Sequence, residues 1–371
     1  PIRNYIKYDY EATIKYLKLI MQNNIPVASK LLEWYDHNAR DLPWRIPPLK
    51  SREGVKANPY HIWLSEIMLQ QTTVKVVEPY YKLFLEKWPT IKDLASADQD
   101  EIMETWAGLG YYRRARNIIQ CAQIVVEEHK GIFPKDEKIL LKLPGVGSYT
   151  AAAIQAIGFN KKANVVDTNI SRIIARLFVI TKPISLSKKN IAHHANNLLP
   201  SRRFGDYAQA LMDLGSQICT SKNPQCMSCP INHACKSYHL GLANKIPYIV
   251  KKDAKPMRYG YVFVTRTKNN DIILERRPDT GLLGGTLSFP SSKWNNSEYT
   301  HFHPPFEANW QILNDDVTHT FSHFKLTLKI AYSTVGDAPP NYLKKSIKTF
   351  NQNCLSSLMR KVFDAGKKYF P

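Results

Sequence analysis

The sequence predicts a mainly α-helical domain followed by a smaller α+β domain, and two patterns support this fold class. Apolar residues recur at close to helical spacing up to about residue 220, as in the segment 74–88. The later runs 259–265 and 271–275 flank an Asn-Asn turn, which is typical of β-strands. The predicted parts are an N-terminal extension (1–24), a helical domain (25–240), a charged linker (241–257) and an α+β domain (258–371).

The composition indicates a polyanionic partner. The 371 residues include 51 Lys and Arg against 31 Asp and Glu, which gives a net charge of +20 at pH 7. Such an excess favours nucleic acid, because Lys and Arg displace the counterions that surround phosphates. An anionic membrane and a merely soluble basic surface are the alternatives on charge alone. The sequence shows no apolar run of membrane-spanning length and no secretory leader, so we expect neither a membrane partner nor secretion.

Four of the six cysteines lie close together, at Cys219, Cys226, Cys229 and Cys235. Four thiolates on one short segment can surround one metal ion or cluster, either structural zinc or a 4Fe-4S cluster. Structural zinc sites typically pair two Cys-x2-Cys knuckles, and this segment contains one such pair. The 6-2-5 spacing therefore favours a 4Fe-4S cluster, and zinc is the alternative.

A Pro-Gly-Val-Gly turn joins two helical patterns. Its residues Gly145, Val146 and Gly147 let the backbone approach a ligand closely, and the amides that open the next helix form an anion site. With a net charge of +20, the expected anion is a DNA phosphate. An ordinary helix–helix turn is the alternative.

Together, these features resemble a known family. The Pro-Gly-Val-Gly turn, Asp167 and the cysteine segment resemble the helix-hairpin-helix glycosylase superfamily with its iron–sulfur loop. The stretches WLSEIMLQQT (63–72) and GLGYYRRARN (108–117) resemble the MutY-type adenine DNA glycosylases within it. GLLGG (281–285) and the Phe-Ser-His run from Phe321 resemble that family's Nudix-like 8-oxoguanine-recognition domain. The sequence lacks an Arg-Glu-x-x-Glu-Glu run after Gly285, so we do not expect nucleotide hydrolysis.

Breaking an N-glycosidic bond requires an acid for the leaving base and a negative charge near the sugar. Glu66 lies on a predicted helix with Trp63 and Leu69, and burial among such groups raises a carboxyl pKa. Asp167 precedes a helical run, whose N-terminus favours the charged carboxylate. An ion-paired glutamate and a plain helix cap are the alternatives. The resemblance implies that Glu66 protonates adenine at N7, that Asp167 stabilises the oxocarbenium ion, and that Asn169 aligns Asp167.

The resemblance also implies roles for residues around this pair. Tyr149 stands where bifunctional relatives have the lysine that forms a Schiff base, so a monofunctional enzyme is expected. Gln71 and Tyr111 are expected to wedge into the base stack of DNA whose adenine has been extruded. Arg45 is expected to line the adenine pocket, with a phosphate contact as the alternative. Recognition of 8-oxoguanine is assigned to Phe321, Ser322 and His323.

The sequence therefore predicts a monofunctional base-excision-repair glycosylase, which removes adenine mispaired with 8-oxoguanine or guanine in double-stranded DNA. We expect a monomer in the cytoplasm of a bacterium, associated with the nucleoid. Thr168 departs from the glycine common in the adenine enzymes, so a thymine- or pyrimidine-directed glycosylase of the same fold is one rival. A non-catalytic lesion binder is another. Glu66 and the C-terminal domain argue against the first rival, and Glu66 with Asp167 argues against the second.

Overall fold

The computed structural model describes residues 26–248, 253–299 and 302–369. The predicted N-terminal extension, 1–24, lies outside these ranges. Among the helices within them, none is both long and apolar enough to cross a membrane.

Two compact units make up the chain, and each combines two separate segments. Among the described residues, the first joins the segment that ends at residue 71 to residues 124–248, and the second joins residues 72–123 to the segment that begins at residue 253. This division differs from the prediction, which placed all of 25–240 in one helical domain.

Hydrogen bonds inside the second unit give the physical reason for this difference. Arg116, in the helical segment, donates to the carbonyl of Gly284 in the C-terminal segment. A second contact has its donor in the C-terminal segment: Nη2 of Arg276 lies 2.7 Å from Oδ2 of Asp100, which is in the helical segment. These contacts join residues far apart in the chain, and sequence periodicity does not report them.

The described chain up to residue 248 is helical, which confirms the mainly α character predicted for it. In chain order the helices are α1 (Val27–Asn38), α2 (Pro48–Arg52), α3 (Pro59–Leu69), α4 (Val74–Lys87), α5 (Ile91–Ala95), α6 (Gln99–Trp106), α7 (Arg113–His129), α8 (Glu137–Leu140), α9 (Ser148–Ala153), α10 (Thr168–Phe178), α11 (Ile184–Asn197), α12 (Phe204–Gln217) and α13 (Lys236–His239). A π-helical turn, Ile154–Gly158, continues α9.

Helix α3 shows how local sequence begins a helix that the core then buries. Asn58 caps it by accepting a hydrogen bond from the backbone amide of Tyr60 at 2.9 Å, and Pro59 occupies the first helical position. The residues from Ile62 to Met68 are all buried. An apolar helix of this kind places any carboxylate on it in a medium of low polarity.

Helix α10 packs against α11 and α12 in the core of the first unit. This core extends into the predicted linker, since Ile246 is buried in it and the partly buried Leu242 packs against it. Nε of Arg176, on α10, donates to the carbonyl of Ile246 at 2.8 Å. The linker therefore differs from the predicted span 241–257 at its start, and its other end falls at Met257, where the first strand begins.

The C-terminal segment is an α+β domain, as predicted. Its elements are β1 (Met257–Thr267), β2 (Asp271–Arg276), β3 (Leu287–Ser288), β4 (Gln311–Thr320), β5 (Lys325–Val335), β6 (Leu343–Ser346) and α14 (Ser357–Lys367). The sheet order is β3-β2-β1-β5-β4, with β6 paired to β2; β1 and β5 are parallel and the other pairs antiparallel.

Two packing layers cover this sheet. Helix α14 buries Leu358, Val362 and Phe363 in a core with strand residues. A smaller aromatic group contains Phe263, whose ring centroid lies 5.1 Å from that of Trp310. The described residues between β3 and β4 contain no helix.

Candidate active site

Glu66 is buried in the first unit, with 6% of its surface exposed. It lies on α3, which packs against α9, and its Oε2 accepts a hydrogen bond of 2.7 Å from the hydroxyl of Tyr149. Burial raises the pKa of Glu66 to about 7, while the Tyr149 hydrogen bond and the charge of Arg45 lower it and the charge of Asp167 raises it. The carboxyl therefore holds its proton more tightly than an exposed glutamate does, and its role as the acid stays a prediction.

Tyr149 lies near the start of α9 and is partly buried. Burial, followed by the charges of Glu66 and Asp167, raises the pKa of its hydroxyl well above the ordinary value of 10. The hydroxyl therefore keeps its proton and remains a hydrogen-bond donor to Glu66. The sequence predicted that Tyr149 replaces a lysine, but it did not show this bond.

Asp167 caps α10 and is aligned by two neighbours. Its Oδ1 accepts from the amide of Ile170 at 2.6 Å, and its Oδ2 accepts from Nδ2 of Asn169 at 3.3 Å. Burial raises the pKa of Asp167, against the lowering effect of the amides of Ile170 and Asn169. The sequence argument considered only the helix terminus, so it missed the larger effect of burial.

Arg172 connects this carboxylate to the cysteine segment. Its Nη2 donates to Oδ1 of Asn169 at 3.0 Å and to the carbonyl of Gly215 at 2.7 Å. Its Nε donates to the carbonyl of Cys219 at 2.7 Å. Sequence reasoning missed Arg172; its position three residues after Asn169 on a helix was the available signal.

Arg45 is part of a buried ion group. Its Nη1 lies 2.7 Å from Oδ2 of Asp213, which is fully buried on α12. Arg40 binds the same carboxylate through its backbone amide at 3.0 Å and its Nε at 2.6 Å. The structure thus places Arg45 in an ion pair and within electrostatic reach of Glu66; its predicted role in the adenine pocket stays a prediction.

The four clustered cysteines lie on one loop beside α10. Burial, together with the other cysteines of the loop, raises the pKa of Cys229 to about 12 and that of Cys235 to about 11. Nη1 of Arg176 lies 3.2 Å from Sγ of Cys219. Within the described residues, no three or more His, Cys, Asp or Glu side chains are arranged to hold a metal ion. None of the four forms a disulfide.

The Pro-Gly-Val-Gly turn lies between α8 and α9, as predicted. Gly145 has φ +78°, which favours glycine, and Gly147 caps α9 with open space where a Cβ would lie. Val146 is buried, so only its backbone can face a ligand.

The two predicted wedge residues share a backbone feature. Gln71, in the first unit, has φ +58° and is exposed; Tyr111, in the second, has φ +49° and is 44% exposed. Left-handed backbone at residues other than glycine is strained and concentrates at functional sites. Before Tyr111, Gly108 has φ +108°, and the hydroxyl of Tyr80 occupies the space a Cβ would need.

The Phe-Ser-His run lies in the turn between β4 and β5. The turn exposes Ser322 and His323, and Phe321 packs against Phe324 with ring centroids 4.8 Å apart. The hydroxyl of Tyr111 lies 2.8 Å from Oγ of Ser322. The second unit therefore places Tyr111, which is predicted to insert into the base stack, next to Ser322, which is predicted to recognise 8-oxoguanine.

The comparisons with known proteins agree with this geometry. Residues 64–201 match the family described as HhH-GPD superfamily base excision DNA repair protein, and residues 261–365 match the NUDIX domain. The adenine DNA glycosylase of Buchnera aphidicola subsp. Baizongia pistaciae is 35% identical over 87% of this chain and 88% of its own length. The chain belongs to the adenine DNA glycosylase family.

Other similar proteins match this chain over different shares of their length. The adenine DNA glycosylase of Arabidopsis thaliana is 38% identical over 70% of this chain, and the match spans 46% of that relative. The solved structure of a thermostable thymine-DNA glycosylase has a TM-score of 0.51 and 30% identity, and it covers 62% of this chain and 99% of its own. The predicted fold and the prediction of a DNA glycosylase are confirmed.

Proposed function

We propose that this DNA glycosylase hydrolyses the N-glycosidic bond of adenine paired with 8-oxoguanine or guanine in double-stranded DNA. The observation that carries the proposal is the buried Glu66–Tyr149 pair, whose carboxyl titrates near neutral pH with Asp167 within electrostatic reach. One carboxyl that holds its proton near pH 7 and a second that faces a developing cation are the two groups this hydrolysis requires.

The leaving base takes its proton from Glu66. As the bond between C1′ of the sugar and N9 of adenine breaks, the Glu66 proton passes to adenine N7, and the electrons of the broken bond stay on the base. Tyr149, by donating to Oε2, fixes the orientation of the carboxyl and leaves its other oxygen to face the base. A fixed acid with a pKa near the working pH transfers its proton efficiently.

The sugar cation faces Asp167, whose charge stabilises it until water adds to C1′ and gives an abasic site. Asn169 and the amide of Ile170 hold the carboxylate oxygens in place. Tyr149 has no amine with which to form a Schiff base, so the DNA strand stays intact after base removal.

The four cysteines are proposed to hold a 4Fe-4S cluster. Four thiols on one loop that act on one another electrostatically, with Arg176 at Sγ of Cys219, suit a dianionic cluster of four thiolates. The cluster would fix the loop whose Cys219 carbonyl receives Arg172. Iron and acid-labile sulfide in the purified protein are expected, and zinc in their place would contradict this assignment.

Recognition of the opposite base is proposed for the exposed turn at Ser322 and His323 together with Tyr111, which lies against Ser322. The amides at Gly145–Gly147, in a turn with open space outside Gly147, are proposed to bind a phosphate of the DNA strand.

The test uses labelled duplexes with A:8-oxoguanine, A:G, T:G or an oxidised pyrimidine, each incubated with enzyme and then divided. Strand cleavage at adenine only after alkali is the expected result, and Glu66→Gln should show none. Cleavage at T:G instead would favour the thymine-directed alternative. Thr168 and the similarity to a thymine-DNA glycosylase structure are the two observations that support this alternative. Tight binding without an abasic product would indicate a lesion binder.

A further inference from the structure

The loop 107–111, between α6 and α7, contains three residues with left-handed backbone. Gly108, Gly110 and Tyr111 have φ of +108°, +69° and +49°. A tyrosine rarely adopts this conformation, and it persists only where the surroundings impose it. Tyr111 is 44% exposed and its hydroxyl contacts an exposed serine, Ser322, so burial of its side chain does not impose the conformation. Contacts to the main chain of the loop are the remaining cause.

Tyr80, on α4, supports the start of this loop. Its hydroxyl donates to the carbonyl of Ala107 at 2.8 Å, and the same hydroxyl fills the space that a Cβ on Gly108 would need. Nη2 of Arg360, on α14, lies 3.1 Å from the position of that Cβ. The hydroxyl of Tyr80 and the absent side chain of Gly108 are therefore complementary in shape.

Trp106 and Arg114 hold the second half of the loop. Nε1 of Trp106 donates to the carbonyl of Gly110 at 3.0 Å. Nη2 of Arg114 donates to the carbonyls of Leu109 and Gly110 at 3.1 and 3.2 Å. The guanidinium of Arg114 also lies over the ring of Tyr111, 5.5 Å from its centroid. Side chains thus bind the loop on both sides of Gly108, and Tyr80 is the one that binds before it.

We propose that Tyr80 is a positioning residue for extrusion of the adenine: it fixes the loop 107–111 so that Tyr111 is presented to the base stack before DNA binds. This inference rests on the proposed function and on the insertion predicted for Tyr111, and it adds a residue that touches neither base nor sugar. A loop that had to become ordered on binding would spend part of the binding energy on its own rearrangement. A loop fixed in advance leaves that energy for unstacking the base.

The first experiment follows extrusion without excision. Glu66→Gln protein is mixed with a duplex that has A:8-oxoguanine and a 2-aminopurine beside the adenine, whose fluorescence rises when its neighbour leaves the stack. Adding Tyr80→Phe should slow this rise about tenfold, because the inserting side chain is no longer held in place. Binding to a duplex with an abasic-site analogue should be unchanged, since no adenine has to be extruded there.

The second experiment compares single-turnover excision of two adenines by enzymes with Glu66 intact. One adenine is paired with 8-oxoguanine, and the other faces an abasic analogue and is more easily unstacked. Tyr80→Phe should lose more rate on the paired adenine than on the unopposed one. A merely structural role for Tyr80 would reduce both rates by the same factor.

Tyr369 provides a matched control in the same unit. It is half-buried like Tyr80, and its hydroxyl donates to Oδ2 of Asp315 at 3.0 Å. Tyr369→Phe should therefore leave extrusion unchanged. Gly108→Ala is a second variant of the proposed contact, because its Cβ would overlap the Tyr80 hydroxyl and φ of +108° disfavours alanine; it should slow extrusion as well. Thermal melts establish that each variant is folded.

Three outcomes overturn the inference: wild-type extrusion in folded Tyr80→Phe, an equal loss in Tyr369→Phe, or equal losses on the paired and unopposed adenines. If Tyr80→Phe does not fold, Gly108→Ala decides the matter, and wild-type extrusion in it overturns the inference. A wild-type enzyme that fails to excise adenine overturns the proposed function and this inference together. A wild-type enzyme that excises adenine, with extrusion indifferent to Tyr80, overturns the inference alone.

Discussion

Nε of Arg172 donates to the carbonyl of Cys219 at 2.7 Å, which joins the helix that Asp167 caps to the cysteine loop. The same guanidinium binds Asn169, and Asn169 donates to Asp167. Three hydrogen bonds therefore connect the first cysteine of the loop to the carboxylate proposed to face the sugar.

Replacing Arg172 by Leu should weaken both ends of this connection. Each hydrogen bond from a charged donor contributes about 1.5–3 kcal/mol, so the free energy of unfolding should fall by about 3 kcal/mol or more. Excision should fall further than binding to an abasic-site duplex, because Asn169 loses its anchor. Unfolding curves, single-turnover rates and iron content measure these effects.

Arg266 gives the control, since it lies in the other unit and its Nε donates to Asn270 within one hairpin. Arg266→Leu should leave excision unchanged. Wild-type excision in Arg172→Leu would show that the connection carries no function.

Replacing Tyr149 by Phe should change the rate and the pH profile in distinct ways. The lost hydrogen bond lowers the pKa of Glu66 in the wild type, so its loss should raise that pKa and move the alkaline limb of excision to higher pH. The maximal rate should fall about tenfold, because the carboxyl loses its fixed orientation. A limb that moved to lower pH would contradict this account of the pair.

The sequence predicted the burial of Glu66 but not the contacts around it. Glu66 was recognisable because its helix neighbours, such as Trp63, are local in sequence and predict burial. Asp213 binds Arg45 across 168 residues, and Arg172 reaches Cys219 across 47, so no local pattern reports either contact. Periodicity likewise predicted the helices and the sheet but not their grouping into units, because that depends on side-chain pairs such as Arg276 and Asp100.

The turn at Ser322 shows a second limit. The resemblance selected Phe321, Ser322 and His323 for recognition of the opposite base, but it did not show that they form a turn between Thr320 and Lys325. Register and turn position depend on cross-strand pairing, which one strand's pattern does not contain.

Glu66→Gln should stabilise the protein in a pH-dependent way. The pKa of Glu66 rises from 4.5 to about 7 on folding, so the folded state binds its proton more tightly. Wild-type stability should therefore decline as pH rises from about 4.5 to 7, and the deficit persists above pH 7 at about 3 kcal/mol. The glutamine variant lacks this penalty.

Denaturant unfolding of both proteins at pH 4 and pH 8 measures the effect. The difference in unfolding free energy should be small at pH 4 and favour Glu66→Gln at pH 8, while the titration of Asp167 largely cancels between the two proteins. A difference that stayed constant between these pH values would contradict the raised pKa.

Removing the hydroxyls of Tyr111 and Ser322 should alter recognition of the opposite base more than stability. Their mutual hydrogen bond is exposed, so Tyr111→Phe and Ser322→Ala should each change the free energy of unfolding by about 1 kcal/mol or less. If this hydrogen bond positions Tyr111 beside Ser322 for recognition of 8-oxoguanine, each variant should reduce the preference for A:8-oxoguanine over A:G. Because both remove the same bond, the double variant should lose little beyond either single one. Additive losses in single-turnover excision would mean that the two side chains contact the DNA independently. Thr327→Ala, in the adjoining strand, is the control variant.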